Sequence, residues 1–460
     1  MNTFPDDFIW GTATSSYQIE GGHDKDGKGP SIWDAFCTIP GKIYKGETGN
    51  VACDHYHRFR EDIQLMKQMG VKAYRFSISW ARILPTGKGQ VNESGIQFYS
   101  DVIDELLKAD IEPWITLYHW DLPLALQLED DGWLGKPIID YFAAYAKICF
   151  ERFGDRCKNW ITLNESWVVA ILGYGQGVFA PGRVSNSEPY LAAHHLILAH
   201  AKAVHEYKNN FSHHGGQIGM TNNCDWREPL TDSEDDKAAA ERALQFFVSW
   251  FADPIYKGDY PEVMKERLGE RLPRFSKEEK VMIKGTSDFF GLNHYTTMLA
   301  AENHGIAKEQ NVYGNGGISE DQNVDLSLDP SWKTTLMNWA VVPWGCTKLL
   351  HWIASRYDNP DIIITENGCA YPDELTNGQV NDRERLTFYK TYLQACQKAI
   401  DEGVKLKGYF AWSFMDNFEW ASGYEKRFGL HYVDFETLKR TPKSSAKWFA
   451  KAIRSSSADV

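Results

Sequence analysis

The chain contains two stretches of the same construction, Trp160-Ile-Thr-Leu-Asn-Glu-Ser166 and Ile362-Ile-Ile-Thr-Glu-Asn-Gly368. Each is rich in apolar and β-branched residues, which is typical of a buried β-strand, and each run ends at a glutamate, Glu165 or Glu366. Because burial of an unpaired carboxylate is costly, each glutamate needs a partner or a task. An ion pair or a helix N-terminus is the plain explanation, and acid–base chemistry at the open end of a barrel is the functional one.

Strand-like and helix-like segments alternate along the whole chain. The predicted strands are 8–14, 72–80, 112–119, 158–164, 217–223, 287–295, 361–366 and 407–413. The predicted helices are 55–69, 95–109, 137–153, 189–209, 234–252, 343–357, 382–402 and 443–455. This alternation predicts an α/β fold, a (β/α)8 TIM barrel. A doubly wound sheet is the competing fold, but the chain lacks the glycine-rich turn that normally follows the first strand of such a sheet.

A single domain over residues 1–460 is the simplest organisation, because the chain has no repeat, low-complexity tract or Pro/Ser-rich linker. Barrels with insertions commonly reach this length. The stretch 299–338 is rich in Asn, Gly and Asp and has little periodicity. We therefore predict a loop insertion there, on the C-terminal face of the barrel, where active sites lie.

The composition is that of an ordinary soluble protein, with 43% hydrophobic and 24% charged residues. A net charge of −13 argues against nucleic acid or an anionic membrane as a partner, and no apolar run is long enough to span a bilayer. The eight cysteines show no metal-binding spacing and no secretory leader is visible, so a reduced, cytoplasmic protein is expected. The sequence leaves the oligomeric state open.

Several predicted strands end in polar or aromatic residues that a barrel would bring together at its carboxyl face. These residues are Arg75, His119, Trp120, Asp121, Asn164, Glu165, Asn293, His294, Tyr295, Glu366, Asn367 and Trp412. Their convergence on one face predicts a functional site more strongly than any one of them does alone. By composition alone, Trp339, Trp412 and Trp420 would fit a hydrophobic core better than a binding site.

Seven motifs occur in order along nearly the whole chain. They are Phe8–Glu20 (FIWGTATSSYQIE), Tyr74–Trp80 (YRFSISW), Leu117–Pro123 (LYHWDLP), Thr162–Glu165 (TLNE), Asn293–Tyr295 (NHY), Ile364–Gly368 (ITENG) and Trp412–Trp420. On these motifs the chain resembles glycoside hydrolase family 1, the β-glucosidase family. The resemblance implies a (β/α)8 barrel that hydrolyses small β-glucosides with retention of configuration, releases glucose, and uses neither a metal nor another cofactor.

The resemblance also implies a role for each matching residue. Glu165 would be the general acid/base and Glu366 the nucleophile, with Arg75 and Tyr295 flanking the nucleophile. Trp412 would stack on the sugar, and Trp339 would form a platform on the leaving-group side. The full set of expected substrate-binding residues is Gln18, His119, Trp120, Asn164, Asn293, Tyr295, Trp339, Trp412, Glu419, Trp420 and Phe428.

The chemistry explains why two glutamates are needed. Retention requires two carboxyl groups about 5 Å apart across the glycosidic bond, one bonding to the sugar and the other protonating the leaving oxygen. The two must therefore differ in pKa. We expect Glu366 to be ionised beside Arg75 and Tyr295, and Glu165 to hold a proton because it is partly buried and faces a second negative charge.

The residues around Glu419 bear on the substrate. Relatives that prefer 6-phosphorylated sugars carry a Ser-x6-Lys-x-Tyr pattern, whereas this chain reads Glu419, Lys426 and Phe428 at those positions. A carboxylate at 419 would repel a phosphate and accept sugar hydroxyls, so unphosphorylated glucosides and cello-oligosaccharides, the products of cellulose degradation, are expected. The alternatives are a 6-phospho-β-glucosidase, a β-galactosidase or β-fucosidase, and a non-catalytic sugar-binding barrel.

The chain departs from the family pattern after Trp339, where it reads Ala-Val-Val-Pro-Trp344-Gly345. Relatives usually carry a glutamate after the first tryptophan and another before the glycine. The leaving-group contacts near 339–345 are therefore expected to differ from those of relatives, and the sugar-binding residues are not affected.

Overall fold

The computed structural model describes residues 3–303 and 317–460. Its centre is a closed barrel of parallel strands in the order β1-β8-β7-β6-β5-β4-β3-β2. The strands are β1 (Ile9–Ala13), β2 (Ala73–Ser77), β3 (Glu112–Tyr118), β4 (Asn159–Asn164), β5 (Gln217–Asn223), β6 (Phe290–Asn293), β7 (Ile362–Asn367) and β8 (Leu406–Trp412). The predicted (β/α)8 barrel is confirmed, and all eight predicted strands overlap the observed ones.

Large side chains fill the barrel interior beneath the carboxyl face. Trp114 lies between Phe289 and Phe410, with ring centroids 5.5 Å and 5.3 Å from theirs. Gly11 makes room for this layer, because a Cβ at that position would lie 2.4 Å from the Phe410 ring. The same buried cluster continues to Trp412, so the floor of the functional face is rigid packed core.

Helices cover the outside of the barrel. The long helices are His55–Met69, Glu93–Lys108, Ile138–Phe153, Glu188–Asn210, Pro343–Arg356, Arg383–Asp401 and Ser444–Ser455. The shorter α-helices are Ser16–Ile19, Ile32–Phe36, Trp80–Ile83, Leu124–Asp130, Ser166–Val168, Glu262–Leu268 and Lys277–Ile283. The predicted single helix over 234–252 is instead two α-helices, Glu234–Leu244 and Trp250–Lys257, separated by a π-helical turn, Gln245–Ser249. A second π-helical turn spans Val169–Gly173.

The prediction of an irregular loop over 299–338 is wrong in part. The strands Trp226–Pro229, Thr297–Glu302 and Val324–Ser327 form a three-stranded sheet outside the barrel. Alternate residues of the last strand, Val324 and Leu326, pack against the helix Glu234–Leu244, so a buried face stabilises what the composition marked as loop. Residues 304–316 of the predicted insertion lie outside the described residues.

A buried ionic network holds the segment that follows β8. Arg385 pairs with Asp373 at 2.9 Å and with Asp382 at 2.6 Å. Lys443 pairs with Asp373 at 2.5 Å and with Asp416 at 2.6 Å, and all five side chains are fully buried. Because removing one member would leave a buried charge unpaired, this network fixes the chain around Asp416 strongly.

Among the described residues, no helix has both the length and the apolar composition that crossing a bilayer requires. All eight cysteines are buried and free of disulfides. The organisation of residues 1–460 as one domain stays a prediction.

Candidate active site

A cavity opens at the carboxyl ends of the barrel strands. Its lining residues are His119, Trp120, Glu165, Val168, Phe179, Asn223, Asp225, Phe247, Asn293, Tyr295, Trp339, Glu366, Trp412, Glu419, Trp420 and Phe428. Both candidate glutamates are in this set, although they come from strands β4 and β7 on different sides of the barrel. The mixture of aromatic and polar side chains suits a small polar ligand.

Glu366, near the end of β7, is held by two donors. Arg75 Nη1 donates to Oε1 at 2.6 Å, and the Tyr295 hydroxyl donates to Oε2 at 2.7 Å. Arg75 is itself fixed, since Nη2 donates to Asn164 Oδ1 at 2.6 Å and Nε donates to Thr116 Oγ1 at 3.0 Å. Burial raises the pKa of Glu366, and the Arg75 charge and the Tyr295 hydrogen bond oppose that rise.

Glu165, directly after β4, has different surroundings. Asn293 Nδ2 donates to Glu165 Oε1 at 2.7 Å, and no Lys or Arg of the described residues forms an ion pair with this carboxyl group. Burial, and then the charge of Glu366, raise the pKa of Glu165 well above its usual range. Of the two glutamates, Glu165 is therefore the one placed to carry a proton.

Asn293 connects the two glutamates. Thr365, the residue before Glu366, donates its hydroxyl to Asn293 Oδ1 at 2.7 Å, so the amide nitrogen faces the other way. That nitrogen donates to Glu165 at 2.7 Å and to Asn164 Oδ1 at 3.0 Å. The orientation of the Glu165 side chain is thus set by a hydrogen-bonded path that begins one residue from Glu366.

Three residues of the cavity have backbone conformations in the left-handed region. These are Trp120 at φ 79°, Glu165 at φ 50° and Trp420 at φ 51°. Each such conformation costs a non-glycine residue roughly 1–3 kcal/mol and persists only where the surroundings enforce it. For Trp120 the enforcement is visible, because its indole Nε1 donates to the Asn164 carbonyl at 2.9 Å. Trp120 and Glu165 follow β3 and β4, and Trp420 lies in the loop after β8. All three side chains line the cavity.

An aromatic cluster forms one wall. The His119 ring is nearly parallel to Trp412, with centroids 5.7 Å apart, and to Trp420 at 6.0 Å. Trp120 packs on Trp420 at 4.6 Å. Burial and the charge of Arg75 hold the pKa of His119 well below its usual range, so its imidazole is neutral. The wall therefore offers flat faces and an uncharged hydrogen-bonding ring.

Glu419 adds a third carboxyl group on the side of this wall. Gln18 Nε2 donates to Glu419 Oε2 at 3.4 Å and to the Phe418 carbonyl at 2.9 Å, which ties the loop after β8 to the segment after β1. Burial and the charge of Glu366 raise the pKa of Glu419 to about 8. Glu419 is thus placed as a hydrogen-bonding group for a neutral ligand.

The structure brings most of the predicted site residues together at one cavity. Those that line it are His119, Trp120, Glu165, Asn293, Tyr295, Trp339, Glu366, Trp412, Glu419, Trp420 and Phe428. Gln18, Arg75 and Asn164 have no exposed surface and lie in the layer beneath, where they hydrogen-bond to lining residues. Direct contact of Gln18 and Asn164 with a sugar stays a prediction.

Five lining residues were not predicted from the sequence, namely Val168, Phe179, Asn223, Asp225 and Phe247. Asn223 and Asp225 carried a usable signal, because they end or directly follow the predicted strand 217–223. The other three are apolar residues outside the strands, and nothing in their pattern separates them from core positions. Among the described residues, no group of three or more His, Cys, Asp or Glu side chains could hold a metal ion.

A closed parallel barrel that presents two buried glutamates in one aromatic cavity has the arrangement of a barrel glycosidase. The sequence comparison is specific: residues 1–458 match the model of "Glycosyl hydrolase family 1". The chain belongs to glycosyl hydrolase family 1, as the sequence motifs predicted, and it is an enzyme of the β-glucosidase type.

Individual relatives are similar over almost their whole length. Beta-glucosidase 42 of Arabidopsis thaliana is 48% identical over 465 residues, which cover 98% of this chain and 94% of the relative. Beta-glucosidase 4 of Oryza sativa subsp. japonica is 47% identical over 472 residues, covering 99% and 96%. A solved family 1 β-glucosidase from Thermotoga maritima superposes with a TM-score of 0.93 at 44% identity, covering 99% of this chain and 98% of that one.

Proposed function

We propose that the protein is a retaining β-glucosidase that removes terminal, non-reducing β-D-glucosyl residues from small β-glucosides and cello-oligosaccharides by double displacement. The observation that supports this proposal is that two glutamates in one cavity have different hydrogen-bond partners. Glu366 receives hydrogen bonds from Arg75 and Tyr295, whereas Glu165 receives one from the neutral Asn293 amide. This asymmetry supplies one ionised nucleophile and one proton donor, which the mechanism requires.

In the first step, a Glu366 carboxylate oxygen bonds to the anomeric carbon as the bond from that carbon to the leaving oxygen breaks. The proton of Glu165 passes to the leaving oxygen, so the leaving group departs as a neutral alcohol or phenol. Positive charge develops on the sugar in the transition state, close to the Glu366 carboxylate. Arg75 and Tyr295 keep that carboxylate ionised and aimed.

In the second step, the glycosyl-enzyme is hydrolysed. Glu366 is now an ester and no longer carries the charge that raised the pKa of Glu165. The pKa of Glu165 therefore falls, and its side chain is present as a carboxylate that can accept a proton. Glu165 takes a proton from water, the water oxygen bonds to the anomeric carbon, and the bond to Glu366 breaks. The sugar leaves as the β-anomer, because two inversions restore the starting configuration.

The sugar-binding wall favours an unphosphorylated sugar. Glu419 is a carboxyl group next to Gln18, which suits the 4- and 6-hydroxyl groups of glucose and supplies no positive charge for a phosphate dianion. Lys426, the one residue here that matches the phospho-sugar pattern, pairs with Glu425 at 2.9 Å and is not a lining residue of the cavity. Activity on β-galactosides and β-fucosides is proposed as secondary.

The natural substrates and setting are also part of the proposal. Cello-oligosaccharides released in cellulose degradation are β-linked glucosides, and one of the similar relatives is named "Coniferin beta-glucosidase", from Pinus contorta, so an aryl glucoside is a second candidate. Eight free, buried cysteines support a reducing, cytoplasmic environment. The substrate is proposed to be the only small molecule that the reaction needs besides water.

The test uses the purified wild-type protein with 4-nitrophenyl β-D-glucoside, and follows the first-formed glucose by proton NMR before mutarotation. We expect β-glucose; α-glucose as the first product would overturn double displacement. A folded protein with no turnover on any β-glycoside would favour a non-catalytic sugar-binding barrel. Comparison of cellobiose with its 6-phosphate separates the glucosidase from a 6-phospho-β-glucosidase, and we expect cellobiose to be the better substrate.

A further inference from the structure

One carboxylate in the cavity, Asp225, has no part in the chemistry described above. It follows β5, and β5 is hydrogen-bonded to β4, with the Glu165 amide donating to the Thr221 carbonyl at 3.0 Å. Glu165 must face the leaving oxygen if it is the proton donor, an assignment that rests on the proposed function. Groups beside Glu165 on the β4–β5 side of the barrel therefore face the leaving group. Asp225 is one of them.

The surroundings of Asp225 on this side are apolar. Val168 and Phe247 line the cavity, and they lie next to or within the two π-helical turns. Trp167 packs edge-on against Phe247, with centroids 4.5 Å apart, and so joins the two turns into one wall. Irregular turns of this kind are frequent at functional sites, where they set the position of a side chain. A leaving group would meet an apolar wall that carries the Asn223 amide and one carboxylate, that of Asp225.

Arg227 is the positively charged partner of Asp225, and it lies outside the cavity lining. Its Nη1 lies 3.5 Å from Asp225 Oδ2, longer than the roughly 2.7–2.9 Å of a strong charge-assisted hydrogen bond. The Arg227 guanidinium lies over the Phe247 ring, 5.1 Å from its centroid, and Arg227 is not a lining residue. The described lining residues include no Lys or Arg. Of the four acidic ones, Glu165 carries a proton, Glu366 is paired with Arg75, and the pKa of Glu419 is raised to about 8. Asp225 is therefore the acidic group that can present negative charge to a leaving group.

We propose that Asp225 selects leaving groups by their charge. It accepts hydrogen bonds from hydroxyl or ammonium groups on the leaving group, and it disfavours leaving groups that carry a carboxylate. The preferred substrates are then β-glucosides of neutral or cationic aryl and alkyl alcohols. The alternative is that Asp225 only pairs with Arg227 and has no influence on substrate choice.

The experiment compares three aryl β-D-glucosides with para substituents of similar size: carboxylate, carboxamide and aminomethyl. For the wild type and Asp225→Asn, kcat/KM is measured for each substrate at low ionic strength. The ratio of carboxylate to carboxamide substrate is then compared between the two proteins, which cancels the intrinsic difference in leaving-group reactivity. We expect this ratio to rise about tenfold in Asp225→Asn, and the aminomethyl-to-carboxamide ratio to fall, as expected for removal of one nearby charge.

Two further variants keep the result interpretable. Asp225→Glu retains the negative charge and should retain the wild-type ratios, even if its overall activity falls. Asp232→Asn removes an exposed carboxylate seven positions along the chain, makes the same change in net charge, and should leave the ratios unchanged. High salt should shrink the Asp225→Asn effect if that effect is electrostatic.

Ratios that stay within twofold of the wild type in Asp225→Asn, while the carboxamide glucoside is still hydrolysed, overturn the proposal and leave the glucosidase function standing. Failure of the wild type to hydrolyse any of the three glucosides would instead contradict the proposed function itself. The two failures are therefore distinguishable.

Discussion

The ends of β4 and β7 differ in the charges that surround their glutamates. At β7, a buried guanidinium and a phenolic hydroxyl each donate to one oxygen of Glu366, at 2.6 Å and 2.7 Å. At β4, the neutral Asn293 amide donates to Glu165, and the charge with the largest effect on the pKa of Glu165 is that of Glu366, which raises it. Burial raises the pKa of both carboxyl groups, but the donors at β7 oppose the rise at Glu366, so a proton is favoured on Glu165.

The residues that surround the two glutamates differently come from strands other than β4 and β7. Arg75 comes from β2 and Tyr295 follows β6, whereas the partner of Glu165 is Asn293 at the end of β6. In the closed barrel, β6 is the direct neighbour of β7, and Asn293 lies opposite Glu366 in the register. The chemistry of each glutamate is therefore a property of the barrel closure and not of its own strand.

The largest expected effect on activity comes from replacing Glu366, the glutamate that is paired with Arg75. Glu366→Gly should lower hydrolysis of aryl glucosides by about 10⁴-fold or more, because no group remains to bond to the anomeric carbon. Added azide should restore turnover and give α-glucosyl azide, which NMR distinguishes from the β-anomer. Glu366→Gln without azide is the control. A β-azide product from Glu366→Gly would exchange the two assigned roles.

A smaller effect on activity, which depends on the substrate, is expected when Glu165 is replaced. Glu165→Ala should lower kcat/KM for an alkyl glucoside or cellobiose by roughly 10²–10⁴-fold, the usual contribution of general acid catalysis. The loss should be far smaller for a 2,4-dinitrophenyl glucoside, whose leaving group needs no proton. The measurement is kcat/KM across phenols of graded pKa. A uniform loss over the series would argue against a proton-donating role.

Glu419 provides a third test, at a carboxyl group that is proposed to bind the sugar and not to react with it. Glu419→Ala should lower kcat/KM for a β-glucoside by about tenfold or more and should affect the matching 6-deoxyglucoside less, because one hydroxyl contact is missing there already. Steady-state kinetics on the matched pair of 4-nitrophenyl glycosides gives the two ratios. An equal loss of kcat/KM on both substrates would show that Glu419 does not hydrogen-bond to the 6-hydroxyl group.

The position of the two glutamates at the carboxyl face could be predicted from the sequence because each lies at the end of a strand of regular pattern. Trp160–Asn164 and Ile362–Thr365 are continuous β-branched and apolar runs, so strand position and the carboxyl face followed from period and fold class alone. Which of the two glutamates is ionised did not follow from those runs. It required Arg75 and Tyr295, which lie hundreds or tens of residues away along the chain and approach only in the closed barrel.

The features that sequence patterns missed share a different cause. Phe247 lies on a π-helical turn inside what reads as one continuous helix, and the pattern of apolar residues does not reveal the extra residue in that turn. Val324 and Leu326 form a short strand whose buried face is supplied by a helix about 80 residues earlier. Asp225 could have been found, since it lies two residues after a predicted strand, but its pairing with Arg227 is seen only in the folded chain.

The smallest effect expected is at Tyr295, and it isolates one of the two donors that distinguish β7 from β4. Tyr295→Phe keeps the ring, its contact with Trp339 at 5.1 Å and the Arg75 ion pair, but it removes the hydrogen bond to Glu366 Oε2. That hydrogen bond lowers the pKa of Glu366, so its loss must raise it, and a higher fraction of the nucleophile is then protonated at acidic pH. The acid limb of the kcat/KM profile should move to higher pH, with about a 5- to 10-fold loss at the optimum for one lost hydrogen bond. The alkaline limb, which reports Glu165, should move much less. A shift of both limbs together, or of the alkaline limb alone, would mean that Tyr295 does not distinguish the two carboxyl groups.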